Sequence, residues 1–341
     1  MTDFFPSSNY PGIFSTREWI EAWRGAWGNS EKISPVLPAI NPDSPRQSLY
    51  VYSQKKYSLL SFATLFPAGI STINSRSLRS EYFTLNGIAA EKFIDFVNGC
   101  AWDQFFIPDV LASSQEYLQL TKAATDAGLM VSVRDISSSY AVRLNGSSFD
   151  NYLKSIGANT RLKLFNKRKK LYQLGGISTT NLWPQVDEFM VVLNKFHIER
   201  WGKPCFEGRN LQQITHFLQK ISLVGGVPDL SVIYCDGQPV SVVLDLYYRQ
   251  RIYNIQSGYI EKFKDGISLG TLHLGMQIEK AFSSDAYFYD FMAGSGKNSN
   301  YKKSLATDTE NFVSLMLVRN PLLKCLYRVK DILRHKESSG S

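Results

Sequence analysis

The sequence predicts a mixed α/β protein, an α+β fold on a mixed sheet, built from two halves that repeat one order of elements. Three observations predict it. From Pro228 to Met292 the chain runs through β-branched strands, a tight turn, a glycine-bearing loop, an amphipathic helix and one more strand. A fainter version of that order, hairpin, strand, loop, helix, strand, runs from Leu49 to Arg134. The 341 residues also exceed one ordinary hydrophobic core, which makes two domains the default. The expected division is 1–145, 146–320, and a basic C-terminal helix and tail at 321–341.

The elements follow in order. Ser15-Thr16-Arg17-Glu18 reads as a capping box ahead of Trp19, Ile20, Trp23 and Trp27, whose spacing is helical. The proline-rich stretch 31–47 reads as loop. Leu49–Phe66 reads as a hairpin turning at Gln54-Lys55-Lys56. Tyr82–Asn86 reads as a short strand, Ala90–Cys100 as a helix, and Gln104–Ile107 as a strand. Gln115–Gly128 is a helix ended by its glycine, with a strand at Met130–Arg134. The second half opens with Ser148–Gly157 and then an amphipathic helix, Asn159–Leu174, with Leu164, Leu171 and Leu174 on one side. That helix carries Arg161, Lys163, Lys167, Arg168, Lys169 and Lys170, either as a solvated basic face or as a contact for substrate phosphates. Helices are expected at Val186–Arg200 and Leu211–Val224.

Leu230–Cys235 and Val240–Tyr248 are strands joined at Asp236-Gly237, a pair that tolerates the positive φ of a hairpin turn. Ile252–Tyr259 is a third strand, Thr271–Phe282 a helix, and Tyr287–Met292 a short strand. A loop with Gly294 and Gly296 and the segment Lys297–Lys303 read as irregular. Asn311–Arg319 is a final strand, and the tail after Glu337 is expected to be disordered. Pro321–His335 is a basic amphipathic helix with Leu322, Leu323, Leu326, Val329, Ile332 and Leu333 on one face. It is either docked on its domain or a foot on a membrane surface.

Hydrophobic residues make up 44% and aromatics 13%, which says globular. The net charge of +8 suits an anionic partner (a phosphate-bearing cofactor, nucleic acid or a membrane face) or serves solubility alone. Cys100, Cys205, Cys235 and Cys325 are far apart and read as free, buried thiols. The four histidines do not stand at metal-ligand spacing from them, and no metal is expected. The N-terminus lacks the basic and apolar regions of a signal peptide, and no stretch approaches 18 apolar residues. A cytoplasmic protein is expected, with peripheral contact at the inner face of the membrane as a further option. There is no nucleophile elbow, phosphate-binding Walker loop or His-Glu-x-x-His, which excludes the common hydrolase, nucleotide triphosphatase and metalloprotease classes.

Glu261–Gly270 opens into a helix, and unpaired amides with the helix dipole favour a phosphate there. The order of elements around this loop resembles the acyl-CoA-binding half of GNAT acyltransferases. More closely, it is similar to the Fem-like, cellulose-biosynthesis-type acetyltransferases, whose chains look like two GNAT folds in tandem. Phe196-His197-Ile198-Glu199-Arg200-Trp201-Gly202-Lys203-Pro204 resembles that group's His-x-x-Arg-x-Gly-x-Pro element. Ser257-Gly258-Tyr259 ends the long strand and Ser268-Leu269-Gly270 opens the helix. Tyr289-Asp290-Phe291, Gly294 and Tyr301-Lys302 resemble its closing signature.

The resemblance implies a donor site at Gly266, Ile267, Ser268, Leu269, Gly270 and Thr271, with Lys264 beside it. The donor would be acyl-CoA or an acyl carrier protein. Leu85-Asn86-Gly87-Ile88-Ala89 is a poor counterpart, so the first half is expected to serve the acceptor. Many GNAT enzymes carry a glutamate base on the strand that here reads Asn254, Gln256 and Ser257. Candidates for the base are therefore Asp290, Asp245 and His197. Asp290 acts on the amine or caps the loop that follows. Tyr259 gives a proton to the departing thiolate or packs. Lys302 meets substrate charge or lies on the surface. Arg200, Lys167, Arg168 and Tyr301 are the candidates for substrate contact.

Two functions follow. The first is an N-acyltransferase acting on a small, lipid-linked or nucleotide-linked amine in exopolysaccharide or envelope synthesis. Aminoacyl-tRNA is an alternative donor, though the coiled-coil arm of such enzymes has no heptad pair here. The second is a non-catalytic GNAT-like module that binds an anionic polymer, tRNA or a membrane surface.

Overall fold

The structure is a computed structural model, which describes residues 12–40, 48–56, 60–72, 76–293 and 297–338. The expectations for the N-terminal leader, the Gly294–Gly296 loop and the last residues of the tail lie outside the described residues. The chain divides into two compact units, 1–137 with 310–341, and 138–309. The C-terminal strand and helix thus belong with the first half, whereas the sequence suggested consecutive segments at 1–145, 146–320 and 321–341.

In the first unit α1 (Arg17–Trp23) starts where the Thr16 hydroxyl accepts the Trp19 N–H at 3.2 Å. Trp19 and Trp23 are buried, and the helix continues as a π-turn, Arg24–Gly28. A short strand β1 (Ser34–Leu37) lies inside the proline-rich stretch expected to be loop. It pairs with β2 (Leu49–Lys56), which pairs with β3 (Leu60–Pro67). Gln54, Lys55 and Lys56 are therefore strand residues, paired with Phe62, Ser61 and Leu60, and not the turn expected there. The expected strand Tyr82–Asn86 is irregular: Tyr82 and Asn86 have φ of 54° and 49°, which break an extended run. Then come α2 (Ala90–Asn98), β4 (Gln104–Leu111) and α3 (Gln115–Asp126), the last closed by Gly128 at φ 73°. β11 (Asp308–Val318) pairs antiparallel with β4. α11 (Pro321–Ser338) buries Leu323 and Tyr327 in a cluster with Phe62, Met316 and Val318. Leu322 and Val329 of the expected apolar face are exposed instead. Helix docking needs only part of that face.

In the second unit the strand order is β5, β10, β9, β8, β7, β6. These strands are β5 (Met130–Arg143), β6 (Ile177–Asn181), β7 (Val227–Cys235), β8 (Gln238–Tyr248), β9 (Arg251–Tyr259) and β10 (Phe288–Ala293). β6 is an edge strand with mostly exposed residues, so the sequence shows no apolar alternation there. Asp236 and Gly237 have φ of 50° and 74°, the two-residue hairpin that Asp-Gly signalled. Adjacent strands are antiparallel except β9 and β10, which are parallel and pair only at Arg251–Phe288, Ile252–Tyr289 and Tyr253–Asp290. β9 then runs on to Tyr259 without β10 beside it.

The helices of this unit are α4 (Phe149–Ser155), α5 (Ala158–Arg161), α6 (Arg168–Tyr172), α7 (Val186–Trp201), α8 (Gly208–Ser222), α9 (Leu269–Phe282) and α10 (Lys297–Leu305). The basic segment expected as one helix is α5, a π-turn at Leu162–Asn166 and α6. Leu164 and Leu171 are buried, while Leu174 is exposed beyond the last turn. A Cβ on Gly275 of α9 would collide with the Leu164 carbonyl, so the π-turn lies directly against that helix. α10 replaces the irregular segment expected at Lys297–Lys303. The cysteines are free, but only half-buried or, for Cys325, exposed. Among the described residues no helix is long and apolar enough to cross a membrane, and no cluster of His, Cys, Asp and Glu could hold a metal.

Candidate active site

The separation of β9 from β10 opens one end of the second unit, and the sheet changes there from apolar packing to polar side chains. α7 lies on β9 at Gly258, where a Cβ would come within 3.1 Å of Leu193 and 3.2 Å of Phe196. That close approach brings His197 to the strand. Its Nε2 lies 3.0 Å from the Ser257 carbonyl oxygen, so Nε2 carries the proton and donates it. Nδ1 is then the acceptor nitrogen. Burial pushes the imidazole below its ordinary value, the Ser257 carbonyl opposes this, and nearby Arg200 adds to the lowering. His197 is therefore neutral near pH 7, as a base must be.

Arg200, one turn further along α7, donates to the Tyr259 hydroxyl at 2.9 Å and pairs with Glu261 at 2.7 Å. Its guanidinium also stacks over the Tyr259 and Trp201 rings. Tyr301 joins the group from α10. Its hydroxyl is pushed up to about 12 by burial first, then by Tyr259, with Arg200 acting the other way. His197, Arg200, Tyr259 and Tyr301 thus converge from three separated motifs.

The glycine loop takes a different form from the one expected. A Cβ on Gly270 would lie 2.6 Å from Cδ1 of Tyr259, so Gly270 makes room for that ring and not for a ligand's phosphate. Gly266 is the open position, with φ 74°. A Cβ there would lie 3.3 Å from the Lys170 Nζ and 3.7 Å from the Lys167 Nζ. The Lys170 ammonium also donates to the Asp265 carbonyl at 2.6 Å. The basic segment and the loop are therefore one feature. α9 begins at Ser268 with no side-chain cap, which leaves its first-turn amides as donors. Ile267 and Leu269 are buried in the cluster beneath the loop, and Ser268 and Thr271 hydroxyls lie 3.3 Å apart at its rim. Lys264 is exposed on the side of the β7–β8 hairpin, near the Cys235 thiol, which burial and Asp236 push up against the opposing Lys264 charge.

Three expected positions serve the fold. Arg168 turns inward, where it pairs with Glu279 and stacks 4.7 Å over the Phe165 ring. Asp290 is fully buried. It meets Arg251 at 3.2 Å and accepts the Met292 N–H at 2.8 Å, which holds Met292 at φ 62°. Lys302 is 8% exposed and donates to the carbonyls of Met292 and Ala293 at 3.1 and 3.0 Å. Asp290 and Lys302 both hold Met292 at the end of β10, one through its N–H and the other through its carbonyl, and brace that end. Asp245 lies at the other end of the strands, buried, accepting from Asn254, Gln277 and Tyr289. Asn254, on the strand that carries a glutamate in many GNAT enzymes, is thereby committed to a carboxylate. Sequence reasoning placed Lys170 on a basic face for substrate phosphates without seeing its approach to the Gly266 loop, and it did not name Glu261 as the partner of Arg200.

Residues 158–303 match the family model described as an acetyltransferase (GNAT) domain. The crystal structure of FemX aligns with 93% of this chain and 94% of its own at a TM-score of 0.58 and 12% identity. L-PGS from Bacillus licheniformis covers 96% of this chain and 98% of its own at 0.49 and 12%. A tandem GNAT protein from the clavulanic acid biosynthesis pathway covers 92% and 97% at 0.41 and 11%. No curated protein matches the sequence. The first of these shows a shared fold over nearly the whole length. Residues 158–303 thus match an acetyltransferase (GNAT) domain, and the chain shares the fold of FemX over nearly its whole length.

Proposed function

We propose that the second unit is an N-acyltransferase that moves an acyl group from a phosphate-bearing thioester, acyl-CoA, to an amine. The observation that carries the reading is the convergence of Lys167 and Lys170 on Gly266 at the uncapped start of α9. Two ammonium groups, an accommodating glycine and helix amides together suit a pyrophosphate. The thioester end would then lie along β9 beyond Tyr253, where pairing with β10 stops. His197 Nδ1 takes the proton from the attacking amine as the N–C bond forms. Tyr259, oriented by Arg200, gives its proton to the departing thiolate. Asp290 and Lys302 fix the edge of the cleft through Met292 and act as positioning residues. The acceptor class is an amino sugar or a lipid-linked or nucleotide-linked amine of exopolysaccharide or envelope synthesis, in keeping with the resemblance to the Fem-like group.

A thermal-shift panel of CoA and acyl-CoAs tests the donor. Saturable stabilisation, about 2.7 kcal/mol at a hundredfold excess over Kd, supports it by linkage. No shift with any CoA while an acyl carrier protein or aminoacyl-tRNA stabilises the chain would replace the donor. The second reading, a binding module without catalysis, draws on Asp290 and Lys302 being held by the protein itself. It predicts donor or polymer binding with no turnover.

A further inference from the structure

The second unit has another cavity, at the end of its strands away from Tyr259. Ile252 and Tyr259 mark the two ends, seven residues apart along β9, or roughly 23 Å. The cavity holds about 260 Å³ and its walls include Val227, Tyr247, Ile252 and Ala281. Its polar groups come from three elements and the turn after the last of them. Asp229 stands on β7, Asp245 on β8, and Gln277, Lys280 and Ser284 lie on or just after α9 with Asp285 following. Gln277 Nε2 donates to Asp229 Oδ2 at 2.8 Å and to Asp245 Oδ2 at 3.2 Å, so one amide ties the two carboxylates together. Lys280 pairs with Asp229 Oδ2 at 2.6 Å. Asp229 Oδ1 is shut off from solvent and has no hydrogen-bond partner. An orphaned carboxylate oxygen in a mostly apolar cavity is costly unless something donates to it.

We infer that this cavity binds a small organic ammonium, its charged head on Asp229 Oδ1 beside Asp245 and its alkyl body against Val227, Tyr247 and Ile252. The charges favour a cation: three carboxylates face one ammonium. Asp285 is engaged with the Tyr247 hydroxyl and Asp245 with Asn254, Gln277 and Tyr289, which leaves Asp229 Oδ1 as the receiving atom with the Asp245 carboxyl beside it. The volume, about eight to nine times a water molecule's share of the liquid, suits a body of several carbons. Burial, chiefly, and then the Asp229 charge hold the Asp245 carboxyl up at about 7, while Asn254, Tyr289 and Gln277 oppose this. An arriving ammonium favours the ionised form, so binding releases a proton below pH 7 and affinity rises with pH.

Isothermal titration of the full chain with n-hexylamine, with n-hexanol as the neutral control, tests this and needs no turnover. Saturable amine binding is expected, at least tenfold tighter than hexanol, and up to tenfold tighter at pH 8 than at pH 6. Asp229→Asn should weaken it by roughly tenfold or more. Lys280→Met removes the competing ammonium and should tighten it several-fold. Equal binding of amine and alcohol, or an unchanged affinity in both variants, overturns the proposal and leaves a plain apolar cavity. Absence of amine binding in wild type and in Lys280→Met overturns it outright.

Discussion

Consider the replacement of Lys167 and Lys170 by glutamine. A phosphate oxygen resting on Gly266 would occupy the space in which a Cβ lies 3.3 and 3.7 Å from the two ammonium groups. At about 4 Å and an effective dielectric near 20, each charge pair is worth roughly 4 kcal/mol before desolvation. Lys170 is exposed and Lys167 half-buried, so solvent screens much of that. A charge-assisted hydrogen bond nets about 1.5–3 kcal/mol, and exposure argues for the lower end. Each single variant should therefore raise the Kd for CoA roughly tenfold. The double variant should reach roughly 30-fold, short of the additive hundredfold because the two lysines share one anion. Titration calorimetry at about 0.1 M and about 1 M salt reads this, since screening shortens from about 10 Å to about 3 Å. The gap between wild type and variant should close at high salt. Lys169→Gln, on the same segment, is the control. If the double variant binds CoA as wild type does at low salt, the lysines do not face the donor and the loop assignment fails.

The remaining predictions concern the frame of the site. Gly270→Ala should push the Tyr259 ring aside and lower kcat more than donor affinity, with a stability loss of about 1–3 kcal/mol read by thermal melting. Full activity and an unchanged melting temperature would contradict it. Asp290→Asn should cost about 3–5 kcal/mol by breaking a buried ion pair with Arg251, whereas a matched apolar pair at both positions should recover most of that. A variant that keeps its stability but loses turnover would instead return Asp290 to catalysis. Asp245 stands at about 7 in the folded chain against 3.8 ordinarily, so the folded state holds the extra proton between those values. Stability should fall as pH rises through that window, and Asp245→Asn should flatten the slope of melting temperature against pH. An identical slope in the variant refutes the assignment.

Much of the fold was legible because local chemistry announced it. Asp236-Gly237 named its hairpin, Gly128 ended α3, and the apolar alternation of β7, β8 and β9 marked the sheet. Hidden features lacked such local signals. β6 and α10 are polar elements without an apolar period, and the positive φ of Tyr82 has no sequence signature. In the site, His197, Arg200, Tyr259 and Tyr301 could be named from motif types, but not their mutual contacts. Gly270 suggested a phosphate because glycine before a helix usually means close approach. The approaching group is the ring of Tyr259, which only the packing reveals. Lys167 and Arg168 are adjacent in sequence yet point to a loop and to Glu279 respectively, because the π-turn before them resets the helical phase.

The most direct measurement follows thiol release from acetyl-CoA by the full chain, over a panel of amino sugars and lipid-linked amines, in wild type and His197→Gln. Amine-dependent release with an acylated product by mass spectrometry is predicted for wild type. Because His197 is lowered from its ordinary value, kcat/KM should fall only on the acid side of that ordinary value. His197→Gln should bind acetyl-CoA as wild type does and lose roughly 10²-fold or more in kcat. Release at the wild-type rate in His197→Gln would remove the base. Acetyl-CoA binding with no amine-dependent release from any acceptor would contradict the enzyme and leave the binding module.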